Sequence, residues 1–213
     1  MVGPAPMIRR AGDRAMVIDR GCLADVHALR WALAQRRLEG VEELVGGLVC
    51  LTVVFDPAVI SFDALANEVR SARVEGFAAG AARLIEIPVV YDGADLAEVA
   101  DRCGLSVAEV KLRHSAVEYT VAIVGFSAGL GYLQGLDPQL SVPRRESPRV
   151  SVPAGAVAIA ADMTCVYPRS SPGGWQLLGH SDLAMWDAGL DPPGLLSPGD
   201  RVRFRPVIGH QSP

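Results

Sequence analysis

The stretch Gly125-Phe-Ser-Ala-Gly-Leu-Gly-Tyr132-Leu, Gly135-Leu-Asp137, Pro143-Arg144, Pro148-Arg149, Val152-Pro-Ala-Gly155, Tyr167-Pro168 and Ser171-Pro-Gly-Gly-Trp175-Gln-Leu-Leu-Gly179 decides how this chain is read. Glycine and proline recur every few residues and interrupt short runs of β-branched and apolar residues. The runs 119–124, 150–159 and 201–208 read as strands, and strong helical periodicity is missing from Val117 onward. Strands without covering helices need their edges paired. This region is therefore expected to be all-β, a closed or nearly closed barrel.

Upstream the texture differs. Residues 15–19 form a short apolar run after a Gly12-Asp13-Arg14 turn. Residues 23–38 place Val26, Leu29 and Leu33 on one helical face. Residues 48–55 are β-branched and stop at Asp56-Pro57, and residues 61–74 read as a helix with Ser61 as N-cap. Residues 83–91 supply another strand. The order βαβαβ predicts a small α+β unit with one sheet covered on one side. Two short helices follow, each with a capping-box pattern, Asp95 with Glu98 and Ser106 with Glu109. The break is placed near Ala79-Gly80, giving an α+β domain over 1–80 and a β-barrel domain over 81–213.

The chain has 213 residues, half of them hydrophobic, and a formal net charge of −4. That composition describes a folded globular protein and argues against nucleic-acid binding, which needs a concentrated basic surface. No run of 18 apolar residues predicts a membrane span, and the N-terminus has no signal-peptide pattern, so the expected location is the cytoplasm. Cys22, Cys50, Cys103 and Cys165 are scattered without metal-ligand spacing and read mostly as core thiols. There are 19 arginines and a single lysine, Lys111, flanked by Val110 and Leu112 rather than by methionines. Covalent biotin is therefore not expected, and no Gly-Lys-Ser/Thr triplet offers a P-loop.

The quoted stretch resembles the family of 5-oxoprolinase B subunits (KipI-like, also called allophanate hydrolase subunit 1) and the carboxyltransferase part of urea carboxylase. The family pattern GFxPGFxYLxGLD, PRxxxPRxxVPAGSVGIAGxQTGxYPxxSPGGWxLIGRT continues to a terminal GDxVxF, here Gly199-Asp200-Arg201-Val202-Arg203-Phe204. This chain departs from it at Ala128, Ala161, Met163, Cys165 and His180. The resemblance implies a ferredoxin-like N-terminal domain followed by a cyclophilin-like barrel. It implies two partners, a KipA-like C subunit and a LamB/YcsF-type A subunit. The implied activity is that of an amidohydrolase on a cyclic amide, the ATP-dependent opening of 5-oxoproline to glutamate. Two other roles known among such proteins are inhibition of a sensor histidine kinase and allophanate or urea-derived carboxyl chemistry.

Several residues stand out as site candidates. Arg144 and Arg149, with Arg145, follow or flank prolines that hold the chain extended, and guanidinium binds carboxylate or phosphate bidentately. They form an anion site or pair with Glu146 or a partner subunit, and Arg145 reads as solvated. His114 reads as a general acid/base or as a structural histidine at a helix end. Tyr132, Tyr167 and Trp175 wall a pocket or fill the barrel core. Gly173 and Gly174 allow close backbone approach to a ligand or form a tight turn. His180, standing where the family has arginine, joins the pocket candidates, while His27 and His210 read as exposed. Ser127 falls in a Gly-x-Ser-x-Gly string, but without a strand-to-helix elbow that string carries no nucleophile.

Overall fold

The computed structural model describes residues 7–73 and 82–208. The chain forms two compact units, Met1–Ala81 and Ala82–Pro213. Ala79 and Gly80, where the sequence places the break, and His210 lie outside the described residues. Among the described residues no helix is long and apolar enough to cross a membrane.

The first unit runs β1 (Met7–Arg10), β2 (Ala15–Asp19), α1 (Leu23–Arg36), β3 (Val41–Gly46), β4 (Cys50–Phe55) and α2 (Phe62–Ser71). Its sheet has the order β1-β2-β4-β3 with every neighbouring pair antiparallel. Side chains alternate across a strand, so Met16, Ile18, Leu51, Val53 and Phe55 share one face. They bury against Val26, Leu29 and Leu33 of α1 and Leu65, Ala66 and Val69 of α2. Ser61 caps α2, its Oγ accepting from Ala64 N at 3.2 Å. His27 is buried on α1, against the expectation of exposure.

Residues 83–91 do not complete this sheet. The strand there, β5 (Leu84–Val89), belongs to the second unit, and the N-terminal hairpin strand β1 takes the edge beside β2 instead. Neither β1 nor β3 shows in the sequence pattern, because Arg9, Arg10, Glu42 and Glu43 break their apolar runs.

In the second unit β5 is followed by α3 (Leu96–Cys103) and α4 (Val107–Ala116). Then come β6 (Tyr119–Val124), β7 (Gly131–Gln134), β8 (Arg149–Val152), β9 (Ala156–Ala160), β10 (Met163–Val166), β11 (Ser171–Gly173), β12 (Gln176–His180) and β13 (Arg201–Pro206). The run that reads as one strand over 150–159 is two, since Pro153 and Gly155 turn the chain between β8 and β9. Seven strands form a mixed sheet in the order β12-β9-β10-β7-β6-β13-β5, with β5 and β13 parallel. The two ends meet where Val90 and His180 exchange backbone hydrogen bonds of 2.9 Å each, so the sheet curls into a nearly closed barrel. Gly179 at this seam is obligatory, because a Cβ there would lie 2.1 Å from Val90 O.

The barrel has two apolar layers. Ile87, Tyr119, Val121, Leu133, Val157, Ile159, Val166 and Phe204 fill its interior, where Val99 and Val110 of α3 and α4 join them. The alternate residues of the same strands, among them Ala156, Ala158, Ala160, Cys165, Tyr167 and Leu177, form a second cluster. Every residue of β9 is buried because both of its faces are covered. The outer layer is covered in part by a two-stranded ribbon of β8 and β11.

Candidate functional site

A cavity of about 290 Å3 opens in this outer layer. Strand alternation places its walls. Tyr132 of β7 and Cys165 of β10 face it, with Tyr167 just beyond β10, whereas Leu133 and Val166 face the barrel interior. The Phe126–Leu130 turn between β6 and β7 supplies a rim, and Arg144, Pro148 and the segment 172–175 close the other side. Trp175 meets Tyr132 edge-on, with ring centroids 5.8 Å apart. Arg144 holds its guanidinium 5.8 Å from the Trp175 ring.

Gly173 and Gly174 play different parts. A Cβ on Gly173 would fall 2.3 Å from the Tyr167 hydroxyl, so only glycine lets that phenol pack under the ribbon. A Cβ on Gly174 would meet nothing closer than 3.7 Å, an ordinary contact. Phe126 is 72% exposed and has φ +68°, a left-handed backbone that a bulky side chain adopts only under constraint.

The charge of the cavity is simple. Burial pushes the Tyr167 phenol up to about 12 and raises Tyr132 and the Cys165 thiol as well. All three are neutral at pH 7, and among the described lining residues Arg144 is the single charged group. A buried protonated thiol is a poor nucleophile, so Cys165 serves as cavity floor.

The loop that carries Arg144 is tied down on both sides. Asp95, almost fully buried, accepts from Arg145 Nη1 at 3.0 Å and Arg149 Nη2 at 2.6 Å through Oδ1. Its Oδ2 accepts from Leu177 N at 2.7 Å. Arg145 N donates to Gly174 O at 2.7 Å, and Gln176 Nε2 to Pro143 O at 3.1 Å. Asp95 therefore does not cap α3 with its side chain, in contrast to what its capping-box pattern implies. Arg145 is not merely solvated, and Arg149, expected as an anion ligand, already holds a carboxylate. The second capping box, Ser106 with Glu109, forms in full.

His114 lies elsewhere. It is fully buried in the barrel interior, stacked on Phe204 with centroids 4.5 Å apart. Its Nδ1 is 2.8 Å from Tyr91 Oη, and its Nε2 is 2.9 Å from Thr164 Oγ1. Thr164 donates its own proton to Ala158 O at 3.0 Å, so it accepts from Nε2–H, and Nδ1 accepts from the phenol. Burial lowers the His114 pKa to about 3. A neutral histidine with both nitrogens engaged and no solvent contact fits the structural one of its two readings, a core group rather than a proton carrier. His180 is also outside the cavity, with its main chain at the barrel seam and Nδ1 2.9 Å from Asp92 Oδ1. Ser127 sits in a turn between two strands, and its Oγ is buried without a partner among the described residues.

A family model described as carboxyltransferase domain, subdomain C and D, matches residues 6–196. The 5-oxoprolinase B subunit of Escherichia coli O157:H7 is 46% identical over 182 residues, covering 83% of this chain and 84% of the relative. That of Bacillus subtilis (strain 168) is 38% identical over 218 residues, covering 92% and 91%. The chain belongs to the family of 5-oxoprolinase B subunits. The crystal structure of TTHA0988 superposes on it with a TM-score of 0.85 at 38% identity, covering 97% of this chain. This chain spans 41% of that longer one.

For a member of the 5-oxoprolinase B-subunit family the cavity gathers most of the residues singled out from the signature: Tyr132, Arg144, Tyr167, Gly173, Gly174 and Trp175. Sequence reasoning misses Phe126, Leu130, Pro148, Cys165 and Pro172. Four of the five lie inside the quoted stretch, and alternation along β10 would have placed Cys165 beside Tyr167.

Proposed function

We propose that this chain is the B subunit of a 5-oxoprolinase, a hydrolase that opens the cyclic amide 5-oxoproline to glutamate. The observation that carries this reading is the 46% identity to a 5-oxoprolinase B subunit over 84% of that relative. The barrel contributes a preformed cavity with aromatic walls, the usual form of a small-molecule site. The first unit is read as ferredoxin-like, with β2, α1, β4 and α2 in the expected order, β3 added between α1 and β4, and β1 in place of the last strand. The second unit is read as cyclophilin-like.

Lactam opening is driven in this reading by ATP, whose phosphoryl transfer activates the ring carbonyl for attack by water. At about 290 Å3 the cavity is at the small end for ligand sites (roughly 300–1,000 Å3). It offers one cation, too few for a triphosphate. ATP is therefore assigned to the assembled complex, with a KipA-like C subunit and a LamB/YcsF-type A subunit. The test is co-purification of the three chains and assay of ATP hydrolysis with and without 5-oxoproline. Glutamate and ADP formed in equal amounts are expected. A well-folded complex that makes neither would overturn the reading.

A further inference from the structure

Three arginines lie in the segment 144–149, and two of them share one carboxylate, Asp95. Arg145 and Arg149 both bond to it. Arg144, next to them in sequence, faces the cavity and has no carboxylate within 4 Å among the described residues. It is held over the Trp175 ring in a cavity with no other charged residue among its described lining, and the neighbouring phenols and thiol stay protonated. A guanidinium left without a counter-ion beside an aromatic wall matches the fork of a planar carboxylate. The flat faces of Trp175, Tyr132 and Tyr167 match a small ring.

We propose that this cavity is a subsite for a small, flat ring bearing a carboxylate, in which Arg144 takes the carboxylate and the Trp175–Tyr132 wall takes the ring. The clamp on Asp95 helps to keep Arg144 available, because that carboxylate is already engaged by Arg145 and Arg149 and ties the loop down. With the function proposed above, on which only the ligand's identity rests, that ligand is 5-oxoproline itself.

The experiment is calorimetric titration of the full chain with L-5-oxoproline and with 2-pyrrolidinone, the same ring without its carboxylate. Wild type, Arg144→Gln, Arg144→Lys and the surface control Arg169→Gln are compared, each with a thermal melt to verify folding. Arg144→Gln is expected to weaken L-5-oxoproline binding by about tenfold or more, since a charge-assisted bidentate contact is lost. Arg144→Lys is expected to restore only part of it, and 2-pyrrolidinone to bind weakly and alike to all four proteins. Equal affinity of wild type and Arg144→Gln for L-5-oxoproline would overturn the subsite, as would undiminished binding of 2-pyrrolidinone. If the wild-type chain alone binds neither compound, KM of the complex decides. A raised KM in Arg144→Gln upholds the subsite, and an unchanged one refutes it while leaving the enzyme reading intact. An inactive wild-type complex in which this chain still binds ring carboxylates through Arg144 would refute the enzyme reading and keep the subsite.

Discussion

Replacing Asp95 by asparagine tests the clamp directly. The carboxylate accepts from two guanidinium groups on one oxygen and from Leu177 N–H on the other. An amide has one acceptor oxygen, so its NH2 must face either the backbone donor or the arginines. Hydrogen bonds to charged groups contribute about 1.5–3 kcal/mol each. Removing one member of a buried pair costs about 3–5 kcal/mol when the other stays dry. Here the arginine side chains keep 33% and 22% of their exposure, so water recovers part of that loss. The expected cost is about 2–3 kcal/mol, a fall in Tm of roughly 8 °C for the barrel unit. Calorimetry of the full chain would read it, with the wild-type trace as reference, since two units can melt separately. A change below about 0.5 kcal/mol would mean that water replaces both ion pairs at no cost, and that the clamp does not hold the Arg144 loop.

Other perturbations follow from the same structure. The His114 pKa is depressed from the ordinary histidine value to about 3, so between pH 6.5 and 3 the unfolded chain binds a proton that the folded chain refuses. Stability is then expected to fall with acidification by about 1.4 kcal/mol per pH unit from this group, and urea titrations of His114→Gln should lack that slope. Gly179→Ala drives a methyl into Val90 O and is expected to cost at least about 3 kcal/mol, visible as insoluble expression or a strongly lowered Tm. Phe126→Asn relieves a left-handed backbone at an exposed position and is expected to raise stability by about 0.5–1 kcal/mol in denaturant unfolding.

What can be read in advance follows from which signals are local. Glycines, prolines and aromatics of the signature mark the cavity wall, because turns and close approaches are encoded where they occur. Ser106 and Glu109 form their capping box because both partners lie within one helical turn. Asp95 shows the opposite. Its spacing to Glu98 has the same form, yet its carboxylate is taken by arginines 50 and 54 residues away, a pairing that no local pattern reports. His114 illustrates a second limit. Its position at a helix end is plain, but its complete burial depends on Phe204, Tyr91 and Thr164 arriving from three other elements. Residues 83–91 carry a legible strand pattern that points to the wrong sheet, because the partner of β5 is β13, at the far end of the unit.

That pairing sets an order in time. Arg83 and Asp200, which face each other at the mouth of the β5–β13 ladder, are 117 residues apart. A ribosome adding about 5–20 residues per second needs on the order of ten seconds between them. Throughout that interval the first strand of the barrel waits without its parallel neighbour, and the lining that Val202 and Phe204 will cover stays open to water. Such long-range closure is slow and prone to aggregation. During synthesis the unpaired edge of β5 is therefore the part of the barrel that stays exposed longest.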